Sequence, residues 1–401
     1  MTSHSLFDTA APESLGFVPA RLQRIDAMLS DASNRRHLPG AVAMVVRRGK
    51  VVLQSSVGMQ DANTGTAMSP DSLFRIYSMT KPIVSVAVMM LAEQGRVLLG
   101  DPIWKYLPEF TDVQVVSLVD GQPVKHRPRI APTVQDLLRH TSGLTYEILG
   151  TEPVQQLYAQ ADLWSRKKTN REFSQVLSTL PLMFEPGTTF GYSRATDLLG
   201  SLIEAVTGQT LGAFLQQNIL DPLGMADTVF HVEPAQQHRI AEPFAVCPDT
   251  GAPVELIDIR QPYPMESGGA GLVSTVGDYA RFLQCLQNGG ELQGHRILMP
   301  NTVRNMTTDH LGQMAQHFTQ RSGYMLAQGV GFGLGFSVKL QDGLDPQPGS
   351  AGLYSWGGIG GTTFFVDPAK ELFAILLTQA PNQRDIYRPR FRAMVYAALL
   401  D

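Results

Sequence analysis

The sequence predicts an α/β chain of the α+β type: an antiparallel sheet flanked by helices, with an inserted, mostly helical lobe. Three observations predict it. A helix followed by a hairpin near the N-terminus is mirrored by a hairpin followed by a helix near the C-terminus, so one sheet can be assembled from both chain ends. The stretch between them is dominated by apolar residues at helical spacing, with long Gly- and Pro-containing connections. Finally, 401 residues exceed the roughly 250–300 at which single cores stop growing. The expected division is an α/β lobe from residues 1–75 and 270–401 and a helical lobe from 76–269, with the site in the cleft between them.

Taken in order, Leu22, Ile25, Met28 and Leu29 give helical periodicity over Pro19–Ala32. Gly40–Val46 and Val51–Ser55 are β-rich runs around Arg47-Arg-Gly-Lys50, a hairpin pattern. Pro82–Gln94, Val134–Arg139, Arg171–Leu180, Thr196–Thr207 and Leu211–Asn218 read as helices. Thr275 with Asp278 three positions later reads as a helix cap. Gly268, Gly269 and Gly271 are expected at tight turns and close packing. Thr362–Val366 and Leu372–Thr378 form the second hairpin, and Tyr387–Leu400 the last helix. Trp104 and Trp164 are expected in the core, with the segment around Trp164 near a pocket.

The composition excludes several function classes. With 32 basic and 36 acidic residues the net charge is −4, and no basic run exceeds Arg166-Lys-Lys168, so a nucleic-acid partner is not expected. Charged residues make up 17% and hydrophobic residues 43%, which is too apolar for a disordered chain. The apolar stretch Ile83–Ala92 falls short of the ~20 residues a membrane span requires. No basic n-region or apolar h-region opens the sequence, so a cytoplasmic location and no membrane partner are expected. Cys247 and Cys285 are too few for a disulfide framework or a zinc site, and no cofactor or metal is expected.

The P-loop, dinucleotide, H-E-x-x-H and G-x-S-x-G motifs are absent. The nine histidines lack metal-ligand spacing, and His140 reads as a structural residue at a helix end. What remains is Ser78-Met-Thr-Lys81. On a helix, positions i and i+3 share a face, so an ammonium can approach the hydroxyl. A serine attacks only when a neighbour takes its proton, and a lysine can do so when burial or nearby cations lower its pKa. The same spacing recurs at Ser165-Arg-Lys-Lys168, among charges and with no apolar helix behind it. Ser78 instead opens the apolar run with Ile83, Val86, Val88, Met89 and Met90.

Around this pair the motifs Ser78-Met-Thr-Lys-Pro82, Leu137-Leu-Arg-His-Thr-Ser-Gly-Leu144, Phe184-Glu-Pro-Gly187, Tyr192-Ser193, Asp221-Pro-Leu-Gly-Met225 and Gly268-Gly-Ala-Gly-Leu-Val-Ser-Thr275 occur in order. The chain thereby resembles the serine β-lactamase/penicillin-recognising superfamily, its class C-like branch and, within it, the family VIII carboxylesterases. The resemblance implies a β-lactamase-like fold with Ser78 as nucleophile, Lys81 as its partner and Tyr192 as a proton relay. It aligns Trp356-Gly357-Gly358 with the K-T-G element and makes the backbone N–H groups of Ser78 and Ile359 the oxyanion hole. Met79 and Arg194, with Trp356, Gly357 and Gly358, are assigned to substrate binding.

Two departures shape the expected substrate. Trp356 replaces the lysine of K-T-G, removing a charge-assisted contact to a carboxylate worth about 1.5–3 kcal/mol. Arg194 replaces the asparagine of Y-x-N and either faces the cleft or pairs with an acid such as Asp197. The resulting expectation is a serine carboxylesterase that hydrolyses small neutral carboxylic esters through an acyl-enzyme. A class C-like β-lactamase or D-Ala-D-Ala peptidase, an acyltransferase using the same acyl-enzyme, and a silent binding protein remain alternatives. Oligomeric state is not legible.

Overall fold

Gly40–Arg47 and Lys50–Asp61 pair as an antiparallel hairpin, as their β-rich composition predicts. The two-residue connection closes because Arg48 and Gly49 both take positive φ, 50° and 72°, which matches the strands' twist in a tight turn. Thr363–Asp367 and Leu372–Thr378 form the second hairpin around Pro368–Lys370. The hairpins join where Gly40–Arg47 runs antiparallel to Leu372–Thr378, so the two chain ends meet inside one sheet. This chain is represented by a computed structural model that describes residues 7–119, 122–150, 152–314 and 326–401.

The sheet has eight strands, in the order Val330–Phe332, Ser337–Lys339, Tyr354–Gly357, Thr363–Asp367, Leu372–Thr378, Gly40–Arg47, Lys50–Asp61 and Thr66–Ala67. Its central strands are apolar throughout because both faces are covered. Ala41, Ala43 and Val45 face the helices Pro19–Asn34 and Arg384–Ala397 through Leu22, Ile25, Leu29, Phe391 and Val395. Val42, Met44 and Val46 belong to the larger core with Ile83, Val86 and Tyr279. The alternation follows from strand geometry, in which successive side chains leave opposite faces.

The middle of the chain supplies the helices Thr80–Glu93, Val134–Leu138, Asn170–Ser178, Ala195–Thr207 and Leu211–Leu215. Thr133 with Asp136 and Thr169 with Glu172 form reciprocal capping boxes that fix two of these starts. The segment expected as helix over Leu211–Asn218 is α-helical only to Leu215 and continues as a π turn over Gln216–Leu220. Pro222, just beyond, lacks the N–H that would return to residue 218, which favours the wider turn. Thr275 caps Val276–Gln287 as expected, while the Asp278 carboxylate accepts from the Asp227 amide and the Thr228 hydroxyl.

Two expectations are corrected. Trp104 is 43% exposed and Trp164 42% exposed, so neither belongs to the core. The last helix begins at Arg384 and ends at Ala397 instead of spanning Tyr387–Leu400, which brings Arg384 into its first turn. Both cysteines are free and buried.

Candidate active site

Ser78 sits in a 3-10 turn, Tyr77–Met79, that runs directly into the Thr80–Glu93 helix. Amides in such a first turn lack acceptors within their own helix. Tyr77 holds φ at +46°, an uncommon conformation for a side chain of this size. Its hydroxyl accepts from the Ile257 amide, which anchors the strained turn. The sequence carries no sign of this strain.

Lys81 lies one turn on and is buried, with 1% of its surface exposed. Its ammonium donates to the Gly269 carbonyl (2.7 Å), the Tyr146 hydroxyl (3.0 Å) and, at longer range, Ser78 Oγ (3.4 Å). An ammonium has three hydrogens to place. Tyr192 OH donates to Ser78 Oγ at 2.6 Å, and its ring lies under the ammonium, 4.7 Å from centroid to Nζ. The three expected catalytic side chains therefore converge. At Ser165 the same spacing gives nothing comparable: Ser165 Oγ donates to the Asp162 carbonyl, and Lys168 donates to the carbonyls of Ala161 and Asp162.

A buried carboxylate supports the pair from beneath. Asp197 accepts from the Gly269 amide (3.0 Å) and the Ser267 hydroxyl (2.5 Å), and the carbonyl of that same Gly269 takes the Lys81 ammonium. Burial alone would raise the Asp197 carboxyl; Arg194, then Lys81, Ser267 and the Gly269 amide outweigh it, so it titrates below the ordinary aspartate value. Gly269 is required here, since a Cβ would lie 2.6 Å from the carboxylate. Gly268 and Gly271 likewise have no room for a side chain, against Thr196 and Phe230.

Arg194 is buried and pairs with Glu147 and with Asp197 (3.4 Å), its guanidinium lying over the rings of Tyr146 and Trp164. Burial opposes its charge, but the two carboxylates together hold it firmly protonated. It does not line the cavity, so its assignment to substrate binding is corrected in favour of pairing with Asp197. Met79 is corrected as well: one position after Ser78 the helical turn directs it into the core, where it is fully buried. Trp356 stands behind Tyr192 instead of forming a wall of the cavity, donating its indole N–H to the tyrosine hydroxyl at 3.4 Å.

The remaining positions of the third motif divide. Gly357 and Ile359 line the cavity, and Gly358 does not. Gly358 uses its amide on the Thr362 carbonyl, and a Cβ there would lie 2.3 Å from the Ile76 carbonyl oxygen. This close approach locks the strand end against the turn that carries Ser78. His140 is structural, as expected: its ring is buried beside Tyr192, Phe190 and Phe332, with Nδ1 3.1 Å from Ser193 Oγ. Burial, aided by the Lys81 charge, drives its pKa far down, so it is neutral.

The cavity over Ser78 has a volume of about 90 Å³ and opens between Tyr146, Tyr192, Ile148, Leu149 and Trp164 on one side and Gly357, Ile359, Arg384 and Arg388 on the other. A larger recess of about 480 Å³ lies around Arg48, Gln284 and Glu371 but presents no hydroxyl, thiol or imidazole. Tyr146, Arg384, Arg388 and the support from Asp197 were missed in the sequence. Tyr146 follows the Leu137–Leu144 motif by two residues, the one signal that could have found it. Burial holds its phenol well above the ordinary tyrosine range, against the opposing Lys81 charge, so it stays protonated. Among the described residues no group of three or more His, Cys, Asp or Glu side chains is placed to hold a metal.

A family model described as Beta-lactamase matches residues 25–397. The chain is 34% identical over 359 residues to Protein Rv1367c of Mycobacterium tuberculosis, covering 85% of this chain and 86% of that one. It is 33% identical over 404 residues to Esterase EstB of Burkholderia gladioli, covering 94% of each. Among solved structures, EstCE1, described as a hydrolase with promiscuous acyltransferase activity, superposes with a TM-score of 0.77 at 27% identity, covering 96% of this chain and 99% of that one.

Proposed function

The chain belongs to the Beta-lactamase family, and from that premise we propose that it is a serine carboxylesterase of the family VIII type, acting on small carboxylic esters through an acyl-enzyme. The observation that carries this is the contact of Ser78 Oγ with Tyr192 OH at 2.6 Å, flanked by Lys81 at the floor of an open cavity. The Lys81–Tyr192 pair acts as base in the form that has given up one proton, with Tyr192 as phenolate beside the Lys81 ammonium; Ser78 attacks the ester carbonyl as its proton passes to the Tyr192 oxygen. The ammonium, with its other two hydrogens held by Gly269 and Tyr146, stabilises the negative oxygen that develops as the proton moves. The backbone N–H groups of Ser78 and Ile359 receive the oxyanion. Tyr192 then protonates the leaving alcohol, and water repeats the sequence to release the acid.

The likeness to Esterase EstB supports ester hydrolysis over lactam hydrolysis. The burial of Trp356 where the K-T-G lysine would stand supports it as well. This reading keeps the division into a lobe from 1–75 with 270–401 and a lobe from 76–269. The cavity draws its lining from residues on both sides of that boundary, in support. The expectation that the substrate is neutral is not carried forward, because two arginines line the cavity.

The test is a p-nitrophenyl ester series from acetate to laurate, run beside nitrocefin on wild type and Ser78→Ala. Ester cleavage lost in the variant, with little nitrocefin turnover, is expected; dominant lactam cleavage would reverse the reading. A second reading, acyl transfer, is favoured by the likeness to EstCE1. Competition of added alcohols with water for the acyl-enzyme measures it.

A further inference from the structure

Ser165-Arg-Lys-Lys168 has the spacing of the reacting pair and none of its geometry, yet one residue inside it is unusual. Arg166 holds φ at +56°, the left-handed region, which a long side chain seldom occupies. It is also buried, with 8% of its surface exposed, although Trp164 and Lys167 on either side face solvent. Strain of this kind persists only where the surrounding structure over-determines it.

Two contacts over-determine it. The Arg166 carbonyl accepts from the Met265 amide at 3.4 Å, and its guanidinium donates to the Ala270 carbonyl at 2.8 Å. One residue thus holds both ends of the segment 265–270. Inside that segment Gly269 gives its amide to Asp197 and its carbonyl to the Lys81 ammonium. The carbonyls of Gly269 and Ala270 therefore take one cation each, Lys81 on the first and Arg166 on the second. Ala270 also lines the cavity over Ser78.

A role in stability alone explains this poorly. Arg194 is met by Glu147 and Asp197, whereas among the described residues no carboxylate forms an ion pair with Arg166. Burial lowers the pKa of its guanidinium, with the Asp197 carboxylate the largest opposing influence, and an arginine stays charged regardless. Burying a cation against a carbonyl in place of a carboxylate costs stability. What the charge provides is a short, directional bond that holds the peptide more firmly than a neutral donor would. The Gly269 carbonyl fixes where Lys81 Nζ lies, and Ser78 Oγ stands 3.4 Å from that nitrogen, a separation at which a small displacement breaks the contact.

We propose that Arg166 is a positioning residue for the reaction: by holding the turn at Gly269 and Ala270, it keeps in place the carbonyl that aims the Lys81 ammonium at Ser78. This rests on the esterase reading for the role of Lys81. The second S-x-x-K thereby contributes its arginine to the site, while its serine and lysine stay outside it.

The experiment measures p-nitrophenyl acetate turnover and the rate at which a fluorophosphonate labels Ser78. The proteins are wild type, Arg166→Ala, Arg166→Gln, Arg166→Lys, Lys167→Gln, Lys81→Ala and the double variant Lys81→Ala with Arg166→Ala. Arg166→Ala is expected to lower kcat and the labelling rate about 10–10²-fold, the scale of a misplaced reacting group, with KM changed less than about threefold. Arg166→Lys should recover more of the rate than Arg166→Gln, and Lys167→Gln, which removes an exposed neighbouring charge, should match wild type. Because Arg166 acts through Lys81, removing it from Lys81→Ala should change the residual rate less than about twofold, whereas a general loosening of the fold would be additive. Circular dichroism and thermal melting check each variant, and if Arg166→Ala does not fold, Arg166→Gln and Arg166→Lys carry the comparison. An unchanged rate in a folded Arg166 variant without the guanidinium overturns the proposal. So does a rise in KM alone, a Lys variant no better than Gln, an equal loss in Lys167→Gln, or additivity with Lys81→Ala. Labelling that depends on Arg166 in a protein that cleaves no ester sinks the esterase and keeps the positioning role, whereas ester turnover indifferent to Arg166 sinks the positioning role alone.

Discussion

Ser78–Lys81 and Ser165–Lys168 share a spacing and have opposite fates. The first pair spans a 3-10 turn that flows into the buried Thr80–Glu93 helix, and its ammonium is held by Tyr146 and Gly269 beside the hydroxyl. In the second, Arg166 takes φ of +56°, which breaks any helical turn between the two residues, and Lys168 turns to the carbonyls of Ala161 and Asp162. The difference teaches that S-x-x-K is chemistry only where the backbone is helical and other elements supply acceptors for the lysine. Asp197, through Gly269, is one such supplier, and it sits more than a hundred positions along the chain from Lys81.

The sharpest test of this contrast removes the first hydroxyl. Ser78→Ala is expected to lower ester turnover by at least about 10³-fold with the fold intact, as nucleophile deletions in serine hydrolases do; p-nitrophenyl acetate rates and circular dichroism read both. Lys81→Ala and Tyr192→Phe should each cost about 10²–10⁴-fold in kcat, the range of a lost proton-transfer group. A Tyr192→Phe variant at wild-type rate would break the relay assignment.

Asp197→Asn removes the support and leaves the buried cations Lys81 and Arg194 with Glu147 as the one carboxylate named beside them, for an expected loss of about 3–5 kcal/mol measured by urea denaturation. The pH dependence gives the sign. A carboxyl held below its unfolded value of 3.8 contributes stability that is present above that pH and lost as pH falls through the folded value. The stability gap between wild type and Asp197→Asn should therefore narrow in acid.

Trp356→Phe deletes the indole N–H that reaches Tyr192, and a decrease in kcat of up to about tenfold is expected from one weak hydrogen bond. At the other end of the scale, Ser165→Ala and Lys168→Ala should leave turnover unchanged and stability within about 0.5 kcal/mol. A clear loss of turnover in either would undo the contrast between the two pairs.

The sheet was readable because each hairpin carries its own local signals: apolar runs in pairs, with Gly49 or Pro368 between them. Helix existence was readable for the same reason, while helix ends were not. The start at Arg384 depends on a preceding 3-10 turn, Pro381–Gln383, that no periodicity marks. Within the site, Ser78, Lys81 and Tyr192 were legible through motif order. Met79 was assigned to the substrate by its place beside Ser78, and Arg194 and Trp356 by their alignment with the Y-x-N and K-T-G elements; each faces elsewhere. On a helix one step of sequence turns a side chain by about 100°, so the neighbour of a nucleophile faces away from its cleft.

By itself the sequence determined the family, the antiparallel sheet built from both chain ends, and the reacting serine with its lysine. These follow from patterns confined to a few consecutive residues or from the order of short motifs. Only the tertiary structure decided that Tyr146 and Gly269 hold the lysine, that Arg194 is neutralised by Glu147 and Asp197, and that Arg384 and Arg388 give the cavity its charge. Those contacts join residues far apart along the chain, and the strength of each depends on burial and distance, which arise only when the elements pack.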